Sequence, residues 1–494
     1  MLQLSSQDTM FAYMEMPNTP LHIAWLNFYD PATAPGGKVR FKSILAHVEQ
    51  RLHTVRFFRE KLVYVPAKLD RPYWVDDADF DLEYHIRHVA LPAPGDWRQL
   101  FILTSRLFAL PLDFSKPLWE FYVIEGLDNV EGLPKGSFAL LAKIHHTAID
   151  GVSGIDVTTF LHTPEPNTPA PPSDHWEPEQ APKAAELLLR AYVSRVANPV
   201  GLVKTIAGTV PVIRRVKAAI ESGEVRKLEK HKAPRTPFSG SVGPHRVVEA
   251  RRFTLDAIRS LRAPVPGSTV NDVLLALVGG TMRSYLLAKG ELPDASLISS
   301  CPISVRTEEE RGTFGNRVMN MNVSLVTDVA EPVERLRRIH VETANSKAMN
   351  DAIGAKTLAE SSQLMPGALM GLGMRLYSRL SLADKLDGPT NTTVTNVPGP
   401  QTALHLAGAR MLNQFVIGPV LEGVGVFHAV TSYCGQITLT VVGDRDKLPD
   451  PEFYAQCIDA AYEELRAAAA ATPAAPVRSK RAAAVPPKRS RGTV

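Results

Sequence analysis

A chain of 494 residues is too long for one ordinary hydrophobic core, so two domains of roughly 200 residues with a connector are the natural arrangement. Its 45% hydrophobic content suits globular folding, and no apolar run reaches the roughly 18 residues that span a bilayer, which excludes an integral membrane helix. The net charge of +4 belongs to the tail: Arg478, Lys480, Arg481, Lys488, Arg489 and Arg491 come with no acidic residue, and subtracting them leaves the body near −2, which excludes nucleic acid as its partner.

Met1-Leu2-Gln3-Leu4-Ser5 lacks a basic and apolar signal pattern, and Cys301, Cys434 and Cys457 are scattered without disulfide or zinc spacing. A cytoplasmic protein is expected. In chain order, a helix is predicted near Lys42 to Leu52, a strand near Trp74 and a helix near Trp97 to Phe108. Pro117-Leu118-Trp119 then leads into an apparent strand, Glu120 to Ile124. The apolar run Phe138 to Ile144 has strand length, and Gly151 to Val157 reads as the start of a helix. Between them lies His145-His146-Thr147-Ala148-Ile149-Asp150-Gly151.

Residues 163–182 contain seven prolines, which rules out regular helix or central strand and ends a first domain at 162. A connector is expected over 163–235, with one helical stripe formed by Leu187, Leu188, Tyr192 and Val196. The second domain is expected over 236–470. Its predicted strands are Arg246 to Phe253, Ser296 to Val305, Val318 to Leu325 and Ile437 to Val442. Its predicted helices are Val273 to Leu287, Pro332 to Asn350, Met365 to Leu382 and Pro451 to Ala470. The tail, 471–494, has a disordered composition. The expected class is α/β or α+β, with mixed sheets flanked by helices.

A neutral imidazole accepts a proton near pH 7 and can return it, so the paired histidines are the first candidates for chemistry. Adjacent strand-end side chains point in opposite directions. His146 is therefore read as the base and His145 as the residue that packs or hydrogen-bonds. Asp150 orients the ring or holds the loop, and Gly151 gives the turn backbone freedom. The competing readings are a satisfied core pair and a metal held by His146 and Asp150, with His22, His85, His88 or His428 converging on it. Asn271 and Asp272 suit a helix N-terminus, and Pro117, Leu118 and Trp119 suit a core. No phosphate-cradling glycine loop and no GxSxG elbow occurs.

His145 to Gly151 fits the HHxxxDG signature of acyltransferases with the chloramphenicol acetyltransferase-like fold, a group that includes peptide-synthetase condensation domains. Pro117-Leu118-Trp119 and Asn271-Asp272 match the PLW and ND blocks of bacterial wax ester synthase/acyl-CoA:diacylglycerol acyltransferases. Leu4-Ser5-Ser6-Gln7-Asp8 and Asn396-Val397-Pro398-Gly399-Pro400 also look familial, so the chain resembles that family from about residue 3 to 468. The resemblance implies two such domains with an active-site tunnel between them. It also implies direct attack on an acyl-CoA by diacylglycerol or a long-chain alcohol, without an acyl-enzyme, a cofactor or a metal. On this reading Asn271 is the oxyanion donor, supported by Asp272. Asp150 pairs with Arg306, and Pro117, Leu118 and Trp119 shape a substrate channel. The basic connector and tail suggest peripheral association with the inner membrane or lipid droplets. The rivals are a condensation-type enzyme using carrier-protein thioesters and a non-catalytic lipid-droplet-binding protein.

Overall fold

The computed structural model describes residues 1–149, 154–172, 175–196, 232–304, 318–353 and 367–472. Among them are two six-stranded mixed sheets and one three-stranded sheet. The strand Phe138–His145 is buried along its whole length, so both of its faces must be covered. It takes a central place in the first sheet, antiparallel to His22–Asp30 on one side and to Trp119–Glu125 on the other. Ile86–Ala90 closes one edge in parallel with Trp119–Glu125.

The other edge of this sheet crosses the expected domain cut. Ala409–Ile417 and His405–Leu406, placed by the sequence in the domain 236–470, pair onto His22–Asp30 as part of the first sheet. Strand Ala409–Ile417 buries Met411, Phe415 and Ile417, and the free edge of His22–Asp30 offers the backbone partners that its own half lacks. The chain then returns to the second half, so the two halves are tied by a strand as well as by the connector.

The second sheet runs Val318–Ser324, Ile298–Ser304, Thr392–Pro398, Val426–Tyr433, Gln436–Asp444 and Arg246–Thr254. Helix Val270–Ala288 is buried nearly all round beneath it, against helices Pro332–Ile353 and Pro451–Ala471. Gly279 allows this approach, because a Cβ there would lie 2.3 Å from the Leu325 carbonyl oxygen. A further core joins Leu26, Phe28 and Tyr122 of the first sheet to Val248, Ala250 and Val442 of the second, with helix Trp97–Ala109 in the seam.

Several predicted elements appear with shifted ends, among them Pro332–Ile353, Ile298–Ser304 and Trp97–Ala109. The connector stripe is corrected. In helix Ala184–Val196, Leu187 and Ala191 pack on Val65, Tyr73 and Val75, leaving Leu188 and Tyr192 exposed. The small sheet takes one narrow i, i+4 face, and the rest of the stripe is uncovered among the described residues. The rest of the connector, 197–231, and the tail beyond 472 lie outside the described residues.

Lys143 is fully buried two residues before the histidines. Its ammonium lies 2.8 Å from the Glu120 carboxylate and donates to the Leu110 carbonyl at 2.9 Å. Tyr122 donates to the same carboxylate at 2.7 Å. Among the described residues Lys143→Ala leaves Glu120 with only the part-exposed Arg87, 3.3 Å away, as its cation, so unfolding free energy should fall by about 3 kcal/mol, the low end for a broken buried pair. Denaturant titration of wild type and variant checks this; a change under about 1 kcal/mol would mean that Arg87 and Tyr122 suffice to hold the Glu120 carboxylate.

Candidate active site

His145 ends its strand with its side chain fully buried, and His146 opens the short helix His146–Ile149. The Thr147 amide donates to His145 Nδ1 at 3.1 Å, which puts the ring proton on Nε2, 2.7 Å from the Glu15 carboxylate. The same carboxylate accepts the Leu21 amide at 2.7 Å, and the Leu21 carbonyl in turn accepts the His146 amide at 2.9 Å. Glu15 thus ties the loop before strand His22–Asp30 to both motif histidines.

His146 is half-buried, but its Nδ1 is closed off and has no hydrogen-bond partner among the described residues. Its ring stacks on Phe11, with centroids 4.8 Å apart and planes 13° from parallel. Burial, and to a lesser degree the neighbouring His145, lowers its pKa to about 4. The ring is neutral at physiological pH and able to accept a proton.

The familial opening segment also braces the motif. Ser5 caps helix Ser6–Met14, the Asp8 carbonyl accepts from the Thr147 hydroxyl at 3.3 Å, and Phe11 lies on the same helix. Helix Gly367–Arg379 packs on that helix at Gly371, where a Cβ would sit 2.5 Å from the Tyr13 carbonyl oxygen. The glycine at 371 thus serves close helix contact within the helix expected from Met365 to Leu382. Met365 and Pro366 lie outside the described residues.

Leu118 and Trp119 are fully enclosed, and Pro117 is buried. All three are core positions, as their residue types also suggested. The Trp119 indole donates to the Phe58 carbonyl at 3.0 Å, and the Leu118 carbonyl accepts the His145 amide at 3.0 Å, so this block anchors the end of the motif strand from inside the core. Asp150 and Gly151 lie outside the described residues, as does Arg306, so their pairing is not on view.

Asn271 and Asp272 open helix Val270–Ala288. Asp272 forms a capping box with Thr269 and also accepts from Thr343 at 2.7 Å and His340 at 2.9 Å. Burial alone would raise the Asp272 pKa, but these hydrogen bonds outweigh it and hold the carboxyl below its ordinary range. Asn271 Oδ1 accepts from Asn396 Nδ2 at 3.4 Å, which joins the two familial segments of the second half. No hydrogen bond among the described residues links Asn271 to His146.

The metal reading finds no cluster. His22 meets the Phe108 carbonyl, His85 the Trp119 carbonyl, His88 the Glu125 carboxylate, and His428 lies between Thr392 and Tyr454. Among the described residues no three His, Cys, Asp or Glu side chains converge as an ion would require.

Glu15 escaped the sequence reading. A lone acid carries no signal in the sequence of a partner 130 residues away. Its removal should leave the buried His145 N–H and the Leu21 amide unpaired, at about 1–3 kcal/mol each. Glu15→Ala should therefore lower both melting temperature and kcat, whereas Glu15→Gln, which keeps an acceptor oxygen, should recover most of each. Equal damage from both variants would show that charge, not acceptance, is what the site needs.

Comparison with known proteins fits this geometry. The wax ester synthase/diacylglycerol acyltransferase catalytic domain matches residues 4–274, and the C-terminal domain of the same family matches residues 314–466. The chain belongs to this family. It is an acyltransferase. A Mycobacterium tuberculosis protein provisionally named diacylglycerol O-acyltransferase is 32% identical over 453 residues, 91% of this chain and 87% of that protein. Another from the same species is 31% identical over 468 residues, 94% of this chain and 99% of its own. Among solved structures, the wax ester synthase/diacylglycerol acyltransferase of Marinobacter aquaeolei shares the fold, with a TM-score of 0.65 at 24% identity over 95% of this chain and all of that one. A variant of the starter condensation domain of rhizomide synthetase, solved in complex with C8-CoA, shares it at a TM-score of 0.52 and 12% identity, covering 96% of this chain and 95% of its own. The fold is thus the expected pair of chloramphenicol acetyltransferase-like domains.

Proposed function

We propose that the chain moves a long-chain acyl group from acyl-CoA to diacylglycerol or a long-chain alcohol, with His146 as the general base. The observation that carries this reading is a motif histidine held neutral, stacked on Phe11 and fixed by the Leu21 backbone at a strand end. As the acceptor oxygen attacks the thioester carbonyl, the imidazole takes the hydroxyl proton. When the tetrahedral intermediate collapses, the C–S bond breaks and the thiolate receives that proton. No acyl-enzyme, metal or cofactor enters these steps.

Asn271 is proposed as the oxyanion donor, since engaging its Oδ1 with Asn396 leaves its amide hydrogens to donate. Asp272 fixes that helix end. Asp150 and Arg306 are proposed as an ion pair that holds the motif loop. The fold-mate solved with C8-CoA supports a CoA thioester as donor. Because the acceptors reside in lipid, the enzyme is placed peripherally at a membrane or lipid-droplet surface. The exposed Leu188, Leu189, Tyr192 and Val193 support this, and no helix of the described residues is long and apolar enough to cross a bilayer.

The test is incubation of purified protein with radiolabelled palmitoyl-CoA and, separately, diolein or hexadecanol. Labelled triacylglycerol or wax ester is the expected product. Folded protein that binds acyl-CoA yet makes neither would overturn the reading in favour of a carrier-linked donor.

A further inference from the structure

A cavity of about 540 Å³ lies between helix Trp97–Ala109 of the first half and strand Arg246–Thr254 with the start of helix Pro451–Ala471 of the second. Arg98, Arg106, His245 and Arg445 line it and are exposed. Among the described residues none of these cations has a carboxylate partner. The acids on the same wall oppose them weakly. Asp450 is engaged by Lys289 and Tyr285. Glu249 lies 3.8 Å from Arg251, and burial raises its pKa to about 7. Glu452 is the remaining carboxylate. Three guanidinium groups around one recess suit a ligand with several phosphates, which planar forks bind in pairs of hydrogen bonds. Phe101 and Phe453 supply an apolar wall for an aromatic base.

The cavity also backs onto the motif. Ala109 lines it, and the carbonyl of the preceding Phe108 meets His22 Nε2 at 2.6 Å. His22 is the register partner of His145. Arg246, another lining residue, donates to the Asn18 carbonyl in the loop between Glu15 and Leu21.

We propose that this cavity seats the phosphorylated nucleotide of the acyl-CoA donor, its phosphates on Arg98, Arg106 and Arg445. The proposal rests on an acyl-CoA being the donor. Nothing in the sequence marked the site, because Arg445 lies far along the chain from Arg98 and Arg106 and joins them only where the two halves meet.

The test compares wild type with the triple variant Arg98→Ala/Arg106→Ala/Arg445→Ala, after thermal melts show that both are folded. CoA binding is titrated by calorimetry, and kinetics are measured with palmitoyl-CoA and with palmitoyl-pantetheine, which lacks the nucleotide. The variant should bind CoA at least tenfold more weakly and raise the KM for palmitoyl-CoA to match, with kcat within twofold. Its preference for palmitoyl-CoA over palmitoyl-pantetheine should shrink by the same factor. Equal CoA affinity in wild type and variant would sink the cavity assignment and leave the acyl-CoA reading standing. A wild type that binds no CoA would overturn both. ATP that binds in the cavity without competing against palmitoyl-CoA would overturn the donor assignment in favour of a separate nucleotide site.

Discussion

His146→Ala is expected to lower kcat for acyl transfer by about 10²–10⁴, the usual contribution of a positioned general base, while KM for the thioester changes little. The split follows from the proposed role. The ring touches the acceptor proton during attack but need not hold the donor in the ground state. Fold loss is not expected to confuse the result, since the His146 side chain makes no hydrogen bond among the described residues through Nδ1 and is half-buried. Its backbone bond to Leu21 survives the change. The measurement is labelled product formation under saturating donor and acceptor, with a thermal melt of each protein. Retention of more than about a tenth of wild-type turnover would remove His146 from the base role. His145→Ala separates the two histidines. It should cost stability as well as rate, because Glu15 and the Thr147 amide each lose a partner.

The sequence carried the motif strand, since a run of that length that is apolar but for Lys143 has few other uses. It also carried the expectation that the two histidines face differently, and the structure buries His145 while leaving His146 half-buried. Other strands were not legible. His22–Asp30 carries His22 and Asn27 at fully or nearly buried positions, so its polarity pattern does not mark a face. In Ala409–Ile417 the register shifts between Met411 and Asn413, and buried Asn413 and Gln414 break the alternation that signals a strand. The two pair with each other across the supposed domain boundary, which local pattern cannot encode. The site shows the same limit. Phe11 and Glu15 gain their meaning from contacts with residues more than a hundred positions away, and the PLW block proved to act through a backbone carbonyl and core packing.

Stability should collapse as pH falls from 6.5 towards 4, because the fold encloses histidines that it holds neutral. Burial lowers His47, His85 and His162 to about 4 and His428 to about 3. Each is bonded as a neutral ring. His162 contacts the Thr158 carbonyl through Nδ1 and the Tyr29 hydroxyl through Nε2, and His428 lies between the Thr392 and Tyr454 hydroxyls. Charging any of these rings would bury an imidazolium with no carboxylate bonded to it among the described residues. The unfolded chain takes up a proton at each histidine near pH 6.5, whereas the folded chain does not until about 4 or below. Folded pKa values below the unfolded ones therefore mean that stability is intact above 6.5 and is lost as pH falls through this window. At pH 5 each histidine removes about 2 kcal/mol, and the four together about 8 kcal/mol, comparable to the whole stability of an ordinary domain. Urea titrations at pH 7.5, 6.5, 5.5 and 5.0 should show unfolding free energy falling with a net uptake of protons on unfolding. An unchanged midpoint between pH 7.5 and 5.0 would show that these rings are already charged or solvated in the fold. Because His146 also stays neutral down to about 4, acid should abolish activity through unfolding before the base itself is protonated. A brief jump to pH 5 should accordingly preserve turnover for as long as the chain stays folded.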